Sequence, residues 1–319
     1  MKMGSRFALV FFLWMHLSAT FELSETALDQ TRFLAEPLID CDNIDFLIFV
    51  HSRPENFYVR KVIRSTWGGV FISSGKKFQT AFVVGNPEKQ MKRLNSEYTE
   101  EVLNKLNLEI KQNKDILHLD KVDRYELLAM KHMASYKWIN ESCSKPKYFI
   151  KADDDLFMDL HHFTDYFTKN FNLEKAFYCH VQSDISPQRE GKWEVTKQDY
   201  LEDKYPEFCS GLAYTTTLPV IQEVLHKSSS HKWIWVDDVL VTGIFGRNTK
   251  HYHLNLRYSF DFEDLHAWAV ESTFKNFGTC QLLGADSRHG FVRGAIAIDE
   301  GAHGTIWREV QKRKVYKLP

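Results

Sequence analysis

The sequence predicts an α/β fold, a doubly wound, Rossmann-like sheet with helices on both faces, and three observations carry that expectation. Strand-length apolar runs alternate with helically periodic segments, the rhythm of strand, helix, strand, helix. The runs are apolar throughout, as in strands covered on both faces. The chain has 319 residues and little low-complexity sequence, so it can bury one large core as a single catalytic-sized domain.

Each element follows in order. At the start, Lys2 and Arg6 precede the apolar run 7–17, broken only by His16, and then Ser18, Ala19 and Thr20. Basic, then apolar, then small is the order of an export segment over residues 1–23, and its length fits either a cleaved signal peptide or a short signal anchor. Residues 24–42 are mixed and polar, with Pro37 near their end, and are expected to form a short stem ahead of a domain spanning 43–319. The run 45–50 reads as a buried strand and 80–84, ending at Gly85, as a second. Between them 55–67 has helical spacing. Asn86-Pro87 reads as a helix start, with a capping side chain and proline in the first turn. Over 121–138, Val122, Tyr125, Ala129, Met133 and Tyr136 recur every three or four residues, an amphipathic stripe. Pro146 interrupts it before the short strand 148–150, which runs into Asp153-Asp154-Asp155 at the carboxyl edge of the sheet, where ligands bind in open α/β sheets.

Composition narrows the function. Lys plus Arg (41) nearly balances Asp plus Glu (42), a net charge of -1, so no global field draws a polyanion and nucleic-acid binding is disfavoured. Aromatic residues make up 14%, enough for a deep core and for platforms on which sugar rings stack. Cys41, Cys143, Cys179, Cys209 and Cys280 stand singly without zinc-site spacing, and in an oxidising lumen they predict one or two disulfides. Asn140-Glu141-Ser142 is an N-glycosylation sequon, meaningful if the chain is exported.

Three consecutive carboxylates repel one another unless a cation neutralises them or water screens them. Taken alone, Asp153, Asp154 and Asp155 fit a solvated turn and a metal clamp equally well; the apolar flanks 148–150 and 156–158 favour the clamp. Hard divalent cations take oxygen ligands and bridge carboxylates to a diphosphate. A phosphohydrolase with a nucleophilic first Asp is the competing chemistry, but it needs Thr where this chain has Phe157. Asp237 and Asp238 lie between apolar segments, which equips one of them as a general base, and they also suit a helix start. Arg60 and Arg64 share one helix face and offer phosphate-binding forks, although two exposed arginines are commonly only a solvated face. The aromatic, Gly- and Pro-rich stretch 191–211 reads as a structured loop where an acceptor sugar stacks. His251 and His253 form a His-x-His that reads as structural before it reads as a metal site.

These residues together resemble glycosyltransferase family 31, the beta-1,3-galactosyl- and N-acetylglucosaminyltransferases. Arg60-Lys61-Val62-Ile63-Arg64-Ser65-Thr66-Trp67 is similar to the family's Arg-x-x-Ile-Arg-x-Thr-Trp, and Asp115, Asp120, Asp123, Tyr125, Leu127 and Lys131 follow its middle pattern. Lys151-Ala152-Asp153-Asp154-Asp155 matches its metal motif, Tyr205-Pro206-Glu207-Phe208-Cys209-Ser210-Gly211 its aromatic loop, and Val236-Asp237-Asp238-Val239 its Glu-Asp-Val block. Five such motifs stand in the family's order, within a resemblance that runs over about 46–307. The resemblance implies a single catalytic domain of GT-A type with a mixed sheet, a UDP-sugar donor such as UDP-galactose or UDP-N-acetylglucosamine, and Mn2+ or another divalent metal. It implies a glycan acceptor on a glycoprotein or glycolipid and a Golgi membrane enzyme of single-pass type II topology, or a lumenal one after signal cleavage. Asp238 would be the catalytic base, Asp155 and Asp153 the metal ligands, and Arg60, Arg64, Lys151, Asp153 and Asp154 the donor-binding set. A catalytically silent glycan-binding relative is the alternative. Two departures stand out: Asp237 replaces the family's Glu, and 294–298 lacks the metal-binding His that the family places there, with His289 and His303 the nearest substitutes.

Overall fold

The computed structural model describes residues 23–87, 96–172, 174–254, 291–293 and 307. The export segment up to residue 22, Cys280, His289, 294–298 and His303 lie outside the described residues. In chain order the elements are α1 (Glu25–Asp29), β1 (Phe33–Ala35), β2 (Phe46–His51), α2 (Phe57–Ser65), β3 (Ile72–Ser73), β4 (Lys76–Asn86), α3 (Ser96–Asn113), β5 (Ile116–Val122), α4 (Leu128–Ser142), β6 (Tyr148–Asp153), β7 (Leu156–Met158), α5 (Leu160–Asn170), β8 (Ala176–Gln182), β9 (Phe208–Thr216), α6 (Leu218–Lys227), a π-helical turn (Val239–Ile244), β10 (Lys250–His253) and β11 (Phe291–Arg293).

Among the described residues the main sheet runs β1-β5-β4-β2-β6-β9-β8-β10, with β3 beside β4, while β7 and β11 form a separate antiparallel pair. Strands β5, β4, β2 and β6 run parallel to one another, whereas β1 lies antiparallel to β5, and β9 antiparallel to both β6 and β8. The sheet is therefore mixed, with helices on both faces. Strand β2 shows why its sequence is apolar throughout. Leu47 and Phe49 enter one core with Met133, Tyr136 and Ile139 of α4 and Val220 and Ile221 of α6. Phe46, Ile48 and Val50 enter the other with Ile63 of α2, Leu106 of α3 and Phe163 and Phe167 of α5. With period-2 side chains and cover on both faces, no polar position is left.

The structure differs from the periodicity reading at four places. Asn86 is the last residue of β4 and not a helix cap, and the next described helix begins at Ser96. Val122 ends β5, so the helix read over 121–138 begins only at Leu128, after a short 3-10 turn at Tyr125–Leu127. Every residue from 129 to 136, Lys131 and His132 included, is buried, because α4 is enclosed by the sheet on one side and by α1, α6 and the π-helical turn elsewhere. An enclosed helix has no solvated face to alternate with. Residues 24–42, expected as a stem, fold onto the domain: Ser24 caps α1, Leu28 is buried, β1 joins the sheet edge, and Cys41 is bonded to Cys143. A second disulfide, Cys179–Cys209, joins β8 to β9. Among the described residues, no helix is long and apolar enough to cross a membrane.

Candidate active site

Strands β2 and β6 end side by side, with His51 opposite Asp153. Asp153 is thus the last residue of its strand, and Asp154 and Asp155 form the turn into β7. Two residues upstream Lys151 points the same way, buried, its Nζ 2.5 Å from Asp153 Oδ1 and bonded also to the Gly211 carbonyl. Burial pushes the Asp153 carboxyl up to about 7; Lys151 opposes the shift and the charge of Asp155 adds to it. Burial works against the Lys151 ammonium, but Asp153, Asp237 and Asp238 outweigh it and raise its pKa. Asp154 Oδ2 accepts from Asn56 Nδ2 at 2.8 Å, which ties the acidic turn to the loop before α2.

Two cavities open on this edge and share His51, Tyr125, Leu128 and Asp153 in their walls, so they form one cleft with two lobes. The inner lobe, about 500 Å³, is lined by Ser52, Arg53, Asp123, Arg124, Lys131 and the acidic triplet. Lys131 holds its wall together, 2.6 Å from Asp123 Oδ2 and 2.9 Å from the Ser52 carbonyl. Gly85 donates to the same carboxylate at 2.9 Å, and its backbone passes so close that a Cβ there would lie 2.7 Å from the Lys121 carbonyl. The outer lobe, about 340 Å³, is lined by Trp193, Tyr205, Phe208, Gly211, Trp235, Asp237 and Asp238 among others.

Asp238 precedes the π-helical turn and caps it. Its Oδ1 accepts from the Val239 N–H at 2.8 Å and its Oδ2 from the Gly211 N–H at 3.1 Å. Gly211 permits this approach, since a Cβ there would meet Asp238 Oδ2 at 3.1 Å. Burial, joined by the neighbouring charge of Asp237, lifts the Asp238 carboxyl to about 6. Asp237 goes the other way: burial would raise it, but the His132 hydrogen bond and the charge of Lys151 hold it below the usual range. One wall of the lobe is aromatic. Trp193 and Tyr125 are each 46% exposed, joined by a 2.8 Å bond from Trp193 Nε1 to the Tyr125 hydroxyl, and Trp235 lies against Tyr125 with ring centroids 5.6 Å apart. Exposed rings beside a polar cleft form the kind of surface on which a sugar face packs.

The sequence-predicted residues therefore divide. Lys151, Asp153, Asp154, Asp155 and Asp238 converge on the cleft. Arg60 and Arg64 stand behind it and line neither lobe. Arg60 is 0% exposed, donating to Glu109, to Ser52 Oγ and to the carbonyls of Arg53 and Pro54, while Arg64 pairs with Glu109 and Asp115. Their forks are filled by carboxylates and carbonyls: Arg60 braces the 52–54 loop that borders the inner lobe, and Arg64 holds Glu109, the carboxylate it shares with Arg60. Asn140 sits on the last turn of α4, where its carboxamide oxygen accepts from Gln222. His251 donates to the Thr242 carbonyl, a structural role.

The triplet supplies a crowded all-oxygen donor set at a cleft, which fits a hard divalent cation. Among the described residues the one group with closer metal-ligand spacing is His51, His132 and Asp237, within 4.8 Å of one another. Both nitrogens of His132 and the carboxylate of Asp237 are engaged in hydrogen bonds there, with Lys151 alongside. That group is a hydrogen-bonded wall in preference to a cation cage. His132 carried no signal in the sequence except as a polar residue within a buried helix.

Residues 58–257 match the family model described as Galactosyltransferase. Over 214 residues the chain is 32% identical to beta-1,3-galactosyltransferase 5 of Mus musculus, covering 66% of each chain. The enzyme of the same name from Homo sapiens is 29% identical over 66% of each chain. Lactosylceramide 1,3-N-acetyl-beta-D-glucosaminyltransferase of Homo sapiens is 28% identical over 61% of this chain and 52% of its own length. With the family model covering more than half its residues, and with the mixed sheet expected of that class, the chain belongs to the galactosyltransferase family.

Proposed function

We propose that the protein is an inverting hexosyltransferase that moves galactose or N-acetylglucosamine from a UDP-sugar to a glycan hydroxyl in a beta-1,3 linkage. One observation carries the reading: a half-buried carboxylate, Asp238, held by two backbone N–H groups between an aromatic wall and an acidic triplet in one two-lobed cleft. The donor occupies the inner lobe against Asp154 and Arg53, and the acceptor packs on Trp193, Tyr125 and Trp235. Asp238 takes the proton of the acceptor hydroxyl as that oxygen bonds to the anomeric carbon; the bond from that carbon to the diphosphate breaks, and UDP leaves with the electron pair. Attack from the face opposite the leaving group inverts the configuration. Asp155 and Asp153 would hold a divalent cation such as Mn2+, which would supply positive charge to the departing diphosphate. Lys151 keeps Asp153 oriented and ties the acidic turn to the Gly211 carbonyl. Arg60 and Arg64 serve the donor indirectly, through the 52–54 loop.

The two disulfides support an oxidising compartment. With the basic, apolar, small-residue N-terminus, they support a Golgi enzyme held to the membrane by its first residues, with the chain from residue 24 onward as its lumenal portion. Purified protein lacking the first 23 residues is expected to release UDP from one or two members of a UDP-sugar panel when Mn2+ and a glycan acceptor are present. Folded protein without turnover across the panel refutes the reading. Phosphate release from simple esters would put a phosphohydrolase in its place.

A further inference from the structure

The Asp237 and Asp238 turn is held from the side opposite the cleft by a residue 105 positions away in sequence, His132 of α4. His132 is 0% exposed. Its Nδ1 lies 3.0 Å from Asp237 Oδ2 and its Nε2 lies 2.5 Å from the Tyr214 hydroxyl, which in turn lies 2.5 Å from the Tyr136 hydroxyl. The direction of this chain of bonds follows from chemistry. Burial keeps the imidazole neutral and keeps both phenols protonated. An ionised carboxylate only accepts, so Nδ1 carries the hydrogen and donates to Asp237, and Nε2 accepts from Tyr214. Tyr136 then donates to Tyr214. Tyr136, Tyr214 and His132 each donate one hydrogen to the next member of the row, which selects a single tautomer and ring orientation for His132.

The consequence reaches Asp238 through one peptide unit. Asp238 is bonded to its own following N–H and to Gly211, both on the cleft side. Neither bond restrains the preceding residue. Asp237 is restrained by His132, whose ring also packs edge-on to His51 with centroids 5.1 Å apart and stacks on Tyr214 at 5.8 Å. The shorter acid at position 237 is thus reached by a side chain from the helix behind.

We infer that His132 is a positioning residue for the transfer: it fixes the backbone of Asp237, and with it the direction in which Asp238 presents its carboxylate to the acceptor, without touching either substrate. The inference rests on Asp238 being the base.

The test uses full-length protein and the donor and acceptor pair on which wild type turns over. His132→Leu removes the donor and keeps an apolar side chain of moderate size. It is expected to lower kcat by on the order of 10- to 100-fold, the cost of a small misplacement of a reacting group. The donor KM and the thermal shift on adding UDP with Mn2+ stay unchanged, because the inner lobe is untouched. His132→Asn, whose amide nitrogen falls near the position of Nδ1, is expected to restore most of kcat. Asp237→Asn in the His132→Leu background adds little further loss, since both act through one bond. Tyr214→Phe provides an independent arm if His132→Leu does not fold: it removes the hydroxyl that donates to Nε2 and is expected to lower kcat with donor KM unchanged. Wild-type kcat in folded His132→Leu, or in Tyr214→Phe, overturns the inference. So does a loss of the UDP shift in parallel with kcat in His132→Asn, which marks a purely structural role. A wild-type protein without transfer activity is a separate result, one that removes the assignment of Asp238 itself.

Discussion

Asp238 gathers in one side chain what a general base requires: reach into a cleft, a restrained carboxylate, and a pKa lifted by burial and by Asp237 to about 6. Because the base must be ionised to accept a proton, and a raised pKa means the ionised form predominates only above it, kcat/KM is expected to climb as pH rises through about 6 and then level off. A pH profile that is flat between 5 and 7 contradicts the assignment. Asp238→Asn keeps the shape, and its side-chain oxygen still caps the π-helical turn. It is expected to cost about 10²- to 10⁴-fold in turnover while the melting temperature holds, checked by UDP release and thermal unfolding. At this scale the sequence was partly readable. Apolar flanks marked Asp153 and Asp238 as anchored at a core edge, and both stand half-buried in the wall of the cleft. It was silent on Gly211 and His132, because the Gly211–Asp238, Gly211–Lys151 and His132–Asp237 contacts join residues 27, 60 and 105 positions apart and leave no local pattern.

Helix α2 is where pattern and partner diverge. Spacing put Arg60 and Arg64 on one face, and they are on one face; spacing says nothing of Glu109 on α3 and Asp115 before β5, which lie opposite. Two arginines against two carboxylates make a buried network, in which removing one member leaves its partner's charge stranded. Glu109→Gln is expected to destabilise the protein by about 3–5 kcal/mol in urea unfolding, and to raise the donor KM as the 52–54 loop loosens. Unchanged stability would mean that water reaches Arg60. The same gap between pattern and environment explains α4. Its run of buried residues from Ala129 to Tyr136 erased the polar stripe that periodicity relies on there, and the end of β5 and the 3-10 turn before it were read as its first turns, whereas β2 was found because an unbroken apolar run is the strand's own signature.

Across the molecule, the mixed sheet sets the site's layout. Parallel β2 and β6 bring the acidic triplet to their shared carboxyl edge, while antiparallel β9 brings Ser210 and Gly211 to the same edge from the opposite direction, so the two lobes meet where strand polarity changes. The outermost strand β1 and α1 are tethered by Cys41–Cys143, which closes a separation of 102 residues. Replacing both cysteines by serine is expected to cost up to about 5 kcal/mol, most of it through the unfolded chain, and to show as a lower denaturation midpoint with kcat unchanged. Cys179–Cys209 differs in placement: it clamps β9 two residues before Gly211, the residue whose N–H and carbonyl hold Asp238 and Lys151. That placement ties the wall of the cleft to the redox state of the chain: with Cys179–Cys209 reduced, β9 loses its covalent clamp beside Gly211. On the proposed reading a mild reductant is expected to lower UDP release while the buried sheet behind the cleft persists, checked by turnover and circular dichroism with and without dithiothreitol.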